Sequence, residues 1–206
     1  AAFNEYATDL SKLPVGPPLI PEFEGASARA VAEQPEQARG CCANFGGADF
    51  EWASGEADRR RLWQARHNTY YAALALRPGS RGIVTDAAVP ISHLAEVMEA
   101  TARDVDTSGV VGPIFGHAGD GNFHAILLEH PDDPPEYVAA LNAVHARLIE
   151  RALAAGGTCT GEHGIGVGKK SWLRRQHGDG AIEVMRTIKR ALDPQNILNP
   201  DKIVDF

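Results

Sequence analysis

Residues 116–124 read Gly-His-Ala-Gly-Asp-Gly-Asn-Phe-His. Two histidines, His117 and His124, bracket a turn rich in glycine. An apolar run lies on each side, 109–116 before the turn and 122–129 after it. Two such runs joined by glycines predict a pair of antiparallel strands, because glycine accepts the positive φ of a tight turn and leaves no side chain in the way. In that geometry both imidazoles can face one side of the hairpin. A second glycine-flanked stretch, Gly161-Glu162-His163-Gly164-Ile165-Gly166, follows later in the chain. Two neutral imidazoles and one carboxylate form a ligand set for a divalent first-row ion that leaves a position open for substrate.

Outward from the hairpin, the pattern alternates without a strict βαβ rhythm. Residues 134–155 carry Val138, Leu141, Val144, His145, Leu148 and Leu153 at helical spacing, and Gly156-Gly157 ends that helix. A strand is expected at 82–89. A helix through Leu94, Val97, Met98 and Ala102 follows it, with Ser92 as its N-cap. Residues 56–76 read as the most helical segment, stopped by Pro78-Gly79. Nearer the start, a lead-in helix is expected over 1–16, an edge strand at 19–24, a helix at 27–42 that Pro35 should kink or end, and a strand at 48–53. After the second glycine stretch come helices at 171–177 and 181–192 and a tail of turns at 193–200. The sum is an α+β chain, an antiparallel sheet with helices on one face and a C-terminal helical tail.

The 206 residues, 44% apolar and 23% charged, are those of an ordinary globular protein. A formal charge of -7 argues against nucleic acid as a main partner, since phosphate binding needs clustered Lys and Arg. No apolar run reaches the ~20 residues of a membrane span. The N-terminus lacks a basic start followed by an apolar stretch, so no signal peptide is expected. It begins without Met, as a fragment or processed piece would. Three cysteines, two of them adjacent, suit free thiols in a reducing compartment.

Individual residues carry competing readings. His117 and His124 are either metal ligands or hydrogen-bonded turn residues. Asp120, between glycines, suits an Asx turn as well as a ligand role. Cys159 is near enough to Glu162 in sequence to be considered as a ligand, and reads better as a buried structural thiol. His163 cannot easily share an ion with its neighbour Glu162 and is better placed as a base over a bound substrate, or else it is a loop histidine in solvent. Arg66, in Leu-Trp-Gln-Ala-Arg-His, offers a fork for a carboxylate, although a lone helix arginine is more often a surface ion pair. The segment 164–170 looks phosphate-binding, but Lys170 stands where Ser or Thr is required and the spacing fits neither a P-loop nor a dinucleotide fingerprint. No serine nucleophile elbow is present.

Three stretches together carry a family resemblance: 116–124, Gly-Thr-Cys-Thr-Gly-Glu-His-Gly-Ile-Gly at 157–166, and Leu-Asp-Pro-Gln-Asn-Ile-Leu-Asn-Pro-Asp-Lys at 192–202. The chain resembles the C-terminal half of FAD-linked D-2-hydroxyacid dehydrogenases of the vanillyl-alcohol oxidase superfamily. Residues 62–68 and Arg77-Pro78-Gly79 are most similar to the D-lactate dehydrogenase branch, beside the glycolate oxidase large subunit. The resemblance implies a ferredoxin-like domain over 1–206, with the N-terminal flavin-binding domain absent from this chain. It implies a zinc or manganese ion on His117, His124 and Glu162, His163 as catalytic base, and Arg66 and Tyr70 toward the substrate. Asn199 and Asn122 would lie toward the flavin.

The implied partners are a small 2-hydroxyacid, a flavin-binding domain or subunit, an electron-acceptor protein or quinone, and a second copy in a homodimer. The implied location is cytoplasmic or peripheral to a bacterial inner membrane, or mitochondrial in a eukaryote. Dicarboxylate-specific members carry a Lys just before the Asp aligned near Asp86, where this chain has Val84 and Thr85. They also carry a Thr four residues after the arginine, where Tyr70 stands here. Both departures favour a small hydroxyacid. Two rivals stay open on the residues alone: a stand-alone metallohydrolase with the same ligands, and a non-catalytic assembly domain with a vestigial site.

Overall fold

The computed structural model describes residues 18–206, so the lead-in helix expected over 1–16 lies outside the described residues. The chain divides into two compact units, one ending at Ala75 and one spanning Leu76–Phe206.

In the first unit, α1 (Ala28–Ala43) is capped by Ser27, whose hydroxyl accepts the Ala30 N–H at 3.2 Å. Pro35 was expected to kink or end this helix; instead the helix runs through it. The ring is fully buried, which offsets the hydrogen bond that a proline cannot donate. The long helix expected at 56–76 is split into α2 (Glu56–His67) and α3 (Thr69–Ala75). The Thr69 hydroxyl donates to the Arg66 carbonyl at 2.6 Å and competes with the helical ladder at Asn68. The strands expected at 19–24 and 48–53 do not form. Pro21 removes a donor from the first. In the second, Phe50 and Trp52 are exposed, so no buried face fixes a strand.

The second unit follows a β-α-β-β-α-β course. The elements are β1 (Arg81–Val84), β2 (Ala87–Ala88), α4 (Ile91–Ser108), β3 (Ile114–His117), a 3-10 turn (Ala118–Asp120), β4 (Asn122–Glu129) and α5 (Pro135–Ala154). Thr158 then bridges antiparallel to Ala88. β4 lies between β3 on one edge and β1 with β2 on the other, and the Thr158 segment lies beyond β2. This is the ferredoxin-like strand arrangement.

β1 and β2 hold one register against β4. Arg81 faces Glu129, Val84 faces Ile126, Ala87 faces Phe123 and Ala88 faces Asn122. The single strand expected at 82–89 is therefore interrupted only at Thr85 and Asp86. Strand β3 is shorter than the expected 109–116. Gly109, at φ 69°, ends α4, and Pro113 has no N–H to give the ladder, although the Val111 and Pro113 carbonyls still accept from Leu128 and Ile126. Helix α4 begins at Ile91 behind Pro90, with no side-chain cap, which corrects the expected role of Ser92.

β4 alternates between two buried faces. Phe123, Ala125 and Leu127 join Leu94, Val97, Leu141, Val144 and Leu148 in the core between sheet and helices. Asn122, His124, Ile126 and Leu128 take the opposite face, so His124 looks away from α4 and α5. Arg147 on α5 grips Asp104 on α4 through Nε and Nη2, at 2.9 and 2.5 Å, and Arg151 adds a further ion pair to Asp104. Helix α6 (Lys170–Leu192) breaks at Gly178, whose φ of 79° separates the two expected helical segments. The tail folds back on it, with Val204 buried against Leu173 and Ile182. No described helix is long and apolar enough to cross a membrane.

Candidate metal centre

The turn between β3 and β4 is built on Gly121, at φ 71°. A Cβ there would come within 2.1 Å of the Val89 carbonyl oxygen, so only glycine lets the hairpin approach the end of β2. This approach sets His117 at the end of β3 and His124 in β4 on the same sheet face.

The break at Thr85 then orients His124. The Thr85 hydroxyl accepts the Ala125 N–H at 2.8 Å, taking the ladder position its own carbonyl would occupy. The freed Thr85 carbonyl lies 3.0 Å from His124 Nδ1. A carbonyl only accepts, so Nδ1 carries the proton and Nε2 is turned toward the site. Nε2 lies 2.9 Å from Glu162 Oε1, and His117 Nε2 lies 3.6 Å from the same oxygen. The ligand atoms of His117, His124 and Glu162 all fall within 4.8 Å of one another.

A divalent cation fits this donor set. It would bind the imidazole lone pair and the carboxylate oxygen that face each other at 2.9 Å. Asp86, His124 and His163 form a second group of that compactness. The first set is the better centre, because Asp86 is already saturated by other donors.

Asp86 is wholly buried and directly faces His124 across the register. Its Oδ2 accepts from the Thr160 hydroxyl at 2.6 Å, from the amides of Gly161, Glu162 and His163 at 3.0, 3.2 and 3.0 Å, and from Lys169 Nζ at 3.3 Å. Burial pushes its carboxyl up, but the Thr160 hydroxyl, the His163 amide, Lys169 and the Gly161 amide outweigh it and hold the pKa at about 2. The segment that failed as a P-loop therefore supplies, in Lys169, the counter-charge for a buried carboxylate.

His163 stacks on His124, ring centroids 4.9 Å apart and planes 14° from parallel, with its Nε2 3.7 Å from Glu162 Oε1. Its side chain is half-exposed.

Other residues singled out in the sequence fall elsewhere. Arg66 is half-buried on α2 in the first unit, its guanidinium 5.8 Å from the Trp63 ring centroid. Tyr70, on α3, is exposed and meets Tyr71 edge-on. Asn199 is exposed in the tail, which is tied to the site loop by the Ile203 amide donating to the Gly166 carbonyl at 2.8 Å. Asn122 is buried beside Gly161, and its Oδ1 has no hydrogen-bond partner among the described residues. Asp120 is exposed and belongs to neither metal-competent group. Cys159 is a buried free thiol, pushed up by burial, and Cys41 and Cys42 are also free. Arg77, in the stretch that resembles the D-lactate dehydrogenase branch, closes on Asp133 and lies 4.6 Å over the Tyr137 ring.

Sequence reasoning did not place Thr85, Asp86 and Lys169 beside these histidines. The signal was present for one of them: an aspartate inside the apolar run Ile-Val-Thr-Asp-Ala-Ala-Val can be buried only with partners.

Residues 3–203 match the family of FAD linked oxidases, C-terminal domain. The chain belongs to that family. It is 47% identical over 192 residues to the probable mitochondrial D-lactate dehydrogenase of Danio rerio, covering 93% of this chain and 38% of that protein. It is 32% identical over 173 residues to the glycolate oxidase subunit GlcD of Bacillus subtilis (strain 168), covering 84% and 36%. The 4-ethylphenol oxidase of Gulosibacter chungangensis has the same fold, with a TM-score of 0.61 at 19% identity over 87% of this chain and 38% of that one. The chain thus spans little more than a third of these relatives. Family membership agrees with the resemblance carried by the three glycine-rich and tail motifs.

Proposed function

We propose that this chain is the substrate- and metal-binding part of an FAD-dependent dehydrogenase that oxidises a small D-2-hydroxyacid, D-lactate or a near analogue such as glycolate, to the 2-oxoacid. The observation that carries the reading is the meeting of His117 Nε2, His124 Nε2 and Glu162 Oε1, with the His163 ring stacked alongside. The names of the relatives support the substrate class.

A zinc or manganese ion on these three residues would supply Lewis-acid stabilisation to the substrate hydroxyl and lower its pKa. Arg66 is assigned to the substrate carboxylate on its sequence motif, through a paired guanidinium contact, with Tyr70 bounding a small substrate. His163 takes the hydroxyl proton on a ring nitrogen. Glu162 and His117 hold their side of the centre while the Thr85 carbonyl keeps His124 in one tautomer.

No side chain can accept the Cα hydride, and FAD, when bound, supplies that acceptor. The unpaired, buried Asn122 Oδ1 suits an acceptor contact to the flavin, and Asn199 is assigned to it on the tail motif. The flavin's main hold is assigned, on the family likeness, to a domain or subunit beyond these residues. An acceptor protein or quinone is the assigned destination of the electrons that a bound FAD would take up.

The test is dye reduction by the intact flavin-loaded protein. D-lactate or glycolate supports turnover, chelation of divalent metal abolishes it, and Arg66→Met raises KM for the hydroxyacid. Turnover that survives both chelation and Glu162→Gln contradicts the reading.

A further inference from the structure

Glu162 and His163 stand between Gly161 and Gly164, with half-exposed side chains. Glycines on both sides give this loop wide backbone freedom. Neither side chain anchors the loop backbone: His163 stacks on the His124 ring and Glu162 meets His124 Nε2. Asp86 holds the loop instead: it accepts the Thr160 hydroxyl and three consecutive amides, those of Gly161, Glu162 and His163. Lys169, from the far end of the same loop, reaches back to the Asp86 carboxylate at 3.3 Å and to its main-chain carbonyl at 3.0 Å. The loop is therefore tied at its start, middle and end to one buried side chain, which itself faces His124.

Resting on the function proposed above, we propose that Asp86 is a positioning residue for the reaction. Its buried carboxylate fixes the backbone of 160–163, so that Glu162 and His163 are presented to His124 and to the substrate hydroxyl in one orientation. Asp86 touches neither the substrate nor the reacting atoms. It acts by aligning two groups that do, and alignment of this kind carries a large share of the rate in enzymes whose reacting atoms must meet in one geometry. A carboxylate is needed because five donors converge on Oδ2. The amide of Asn would turn donors toward donors or leave Lys169 unpaired in a buried place.

The test compares Asp86→Asn with the wild type in the intact protein, read in two ways. Hydrogen–deuterium exchange reads the tether without reference to metal. The amides of Gly161, Glu162 and His163, protected in the wild type, lose about tenfold or more of their protection in the variant, while α5 is unchanged. Zinc titration and steady-state kinetics read the consequence. Zinc affinity and kcat each fall by about 10–100-fold, and KM for the hydroxyacid moves far less.

Thr160→Val removes a single donor and keeps Asp86, and it guards against a variant that fails to fold. It gives the same changes on a smaller scale, and Thr160→Ser restores wild-type behaviour. Unchanged exchange at 161–163 and unchanged zinc affinity in Asp86→Asn, or in Thr160→Val where Asp86→Asn does not fold, overturn the proposal. A wild type that binds no zinc would overturn the metal reading instead, and the exchange measurement still decides whether Asp86 tethers the loop.

Discussion

His124 Nδ1 lies 3.0 Å from the Thr85 carbonyl oxygen, and that contact decides which ring nitrogen is offered to the site. It exists because the Thr85 hydroxyl has taken over the ladder bond to the Ala125 amide. One side chain thus interrupts the strand and selects the histidine tautomer. Thr85→Val should return the carbonyl toward the ladder or leave the Ala125 amide unpaired. We expect zinc affinity to fall by about tenfold, as for partners of metal-ligating histidines generally, and stability to fall by about 1–2 kcal/mol. Thr85→Ser should restore both. Calorimetric zinc titration with thermal melts checks the pair of effects.

His163 is assigned the proton, not the metal. His163→Asn should therefore leave bound metal close to one per chain and lower kcat by about 100-fold or more, the usual contribution of a placed general base. Metal content and dye-linked turnover on the same preparation separate the two. Loss of metal with loss of activity would make His163 a ligand.

The hairpin depends on a positive φ and a close approach at one residue. Gly121→Ala places a Cβ within 2.1 Å of the Val89 carbonyl at φ 71°. We expect a loss of about 2–3 kcal/mol of stability, with a clear fall in Tm. Gly119→Ala, in the same turn but with open space around it, should change little, and differential scanning calorimetry distinguishes them.

Asp104 joins α4 to α5 through Arg147 and Arg151. The Arg147 hydrogen bond, opposed by burial and helped by Arg151, holds its carboxyl below the ordinary 3.8. A folded pKa below the unfolded one stabilises the fold fully above the ordinary value, and the contribution is lost as the pH falls through the folded value. Asp104→Asn should therefore lower Tm at pH 7. The gap between variant and wild type should begin to close below pH 3.8 and keep closing through the depressed folded value. Melts across that range check the sign.

Much of the architecture was legible in the residues. The glycine turn at 116–124 announced the hairpin, and the stripe of Leu141, Val144 and Leu148 announced α5. Local pattern failed where tertiary contacts decided. Pro35 sits inside a helix because its ring is buried, and Leu19–Glu24 is no strand because no neighbour pairs with it. The grouping of His117, His124 and Glu162 was expected from glycine-flanked histidines, and the structure brings the three side chains together. The frame that orients it was not expected, because Thr85, Asp86 and Lys169 look like an ordinary strand and loop until register places Asp86 opposite His124. Burial of a carboxylate under four backbone and side-chain donors and a lysine leaves only a faint trace in sequence.

The most direct test is the metal itself. The intact protein is loaded with zinc or manganese, passed through a desalting column, and its bound metal counted by mass spectrometry beside His117→Ala and Glu162→Gln. We predict one divalent ion per chain in the wild type and a large loss in both variants, with their folds intact by circular dichroism. A wild type that retains no ion, or variants that retain as much as the wild type, would contradict the claim that these three side chains converge on one metal.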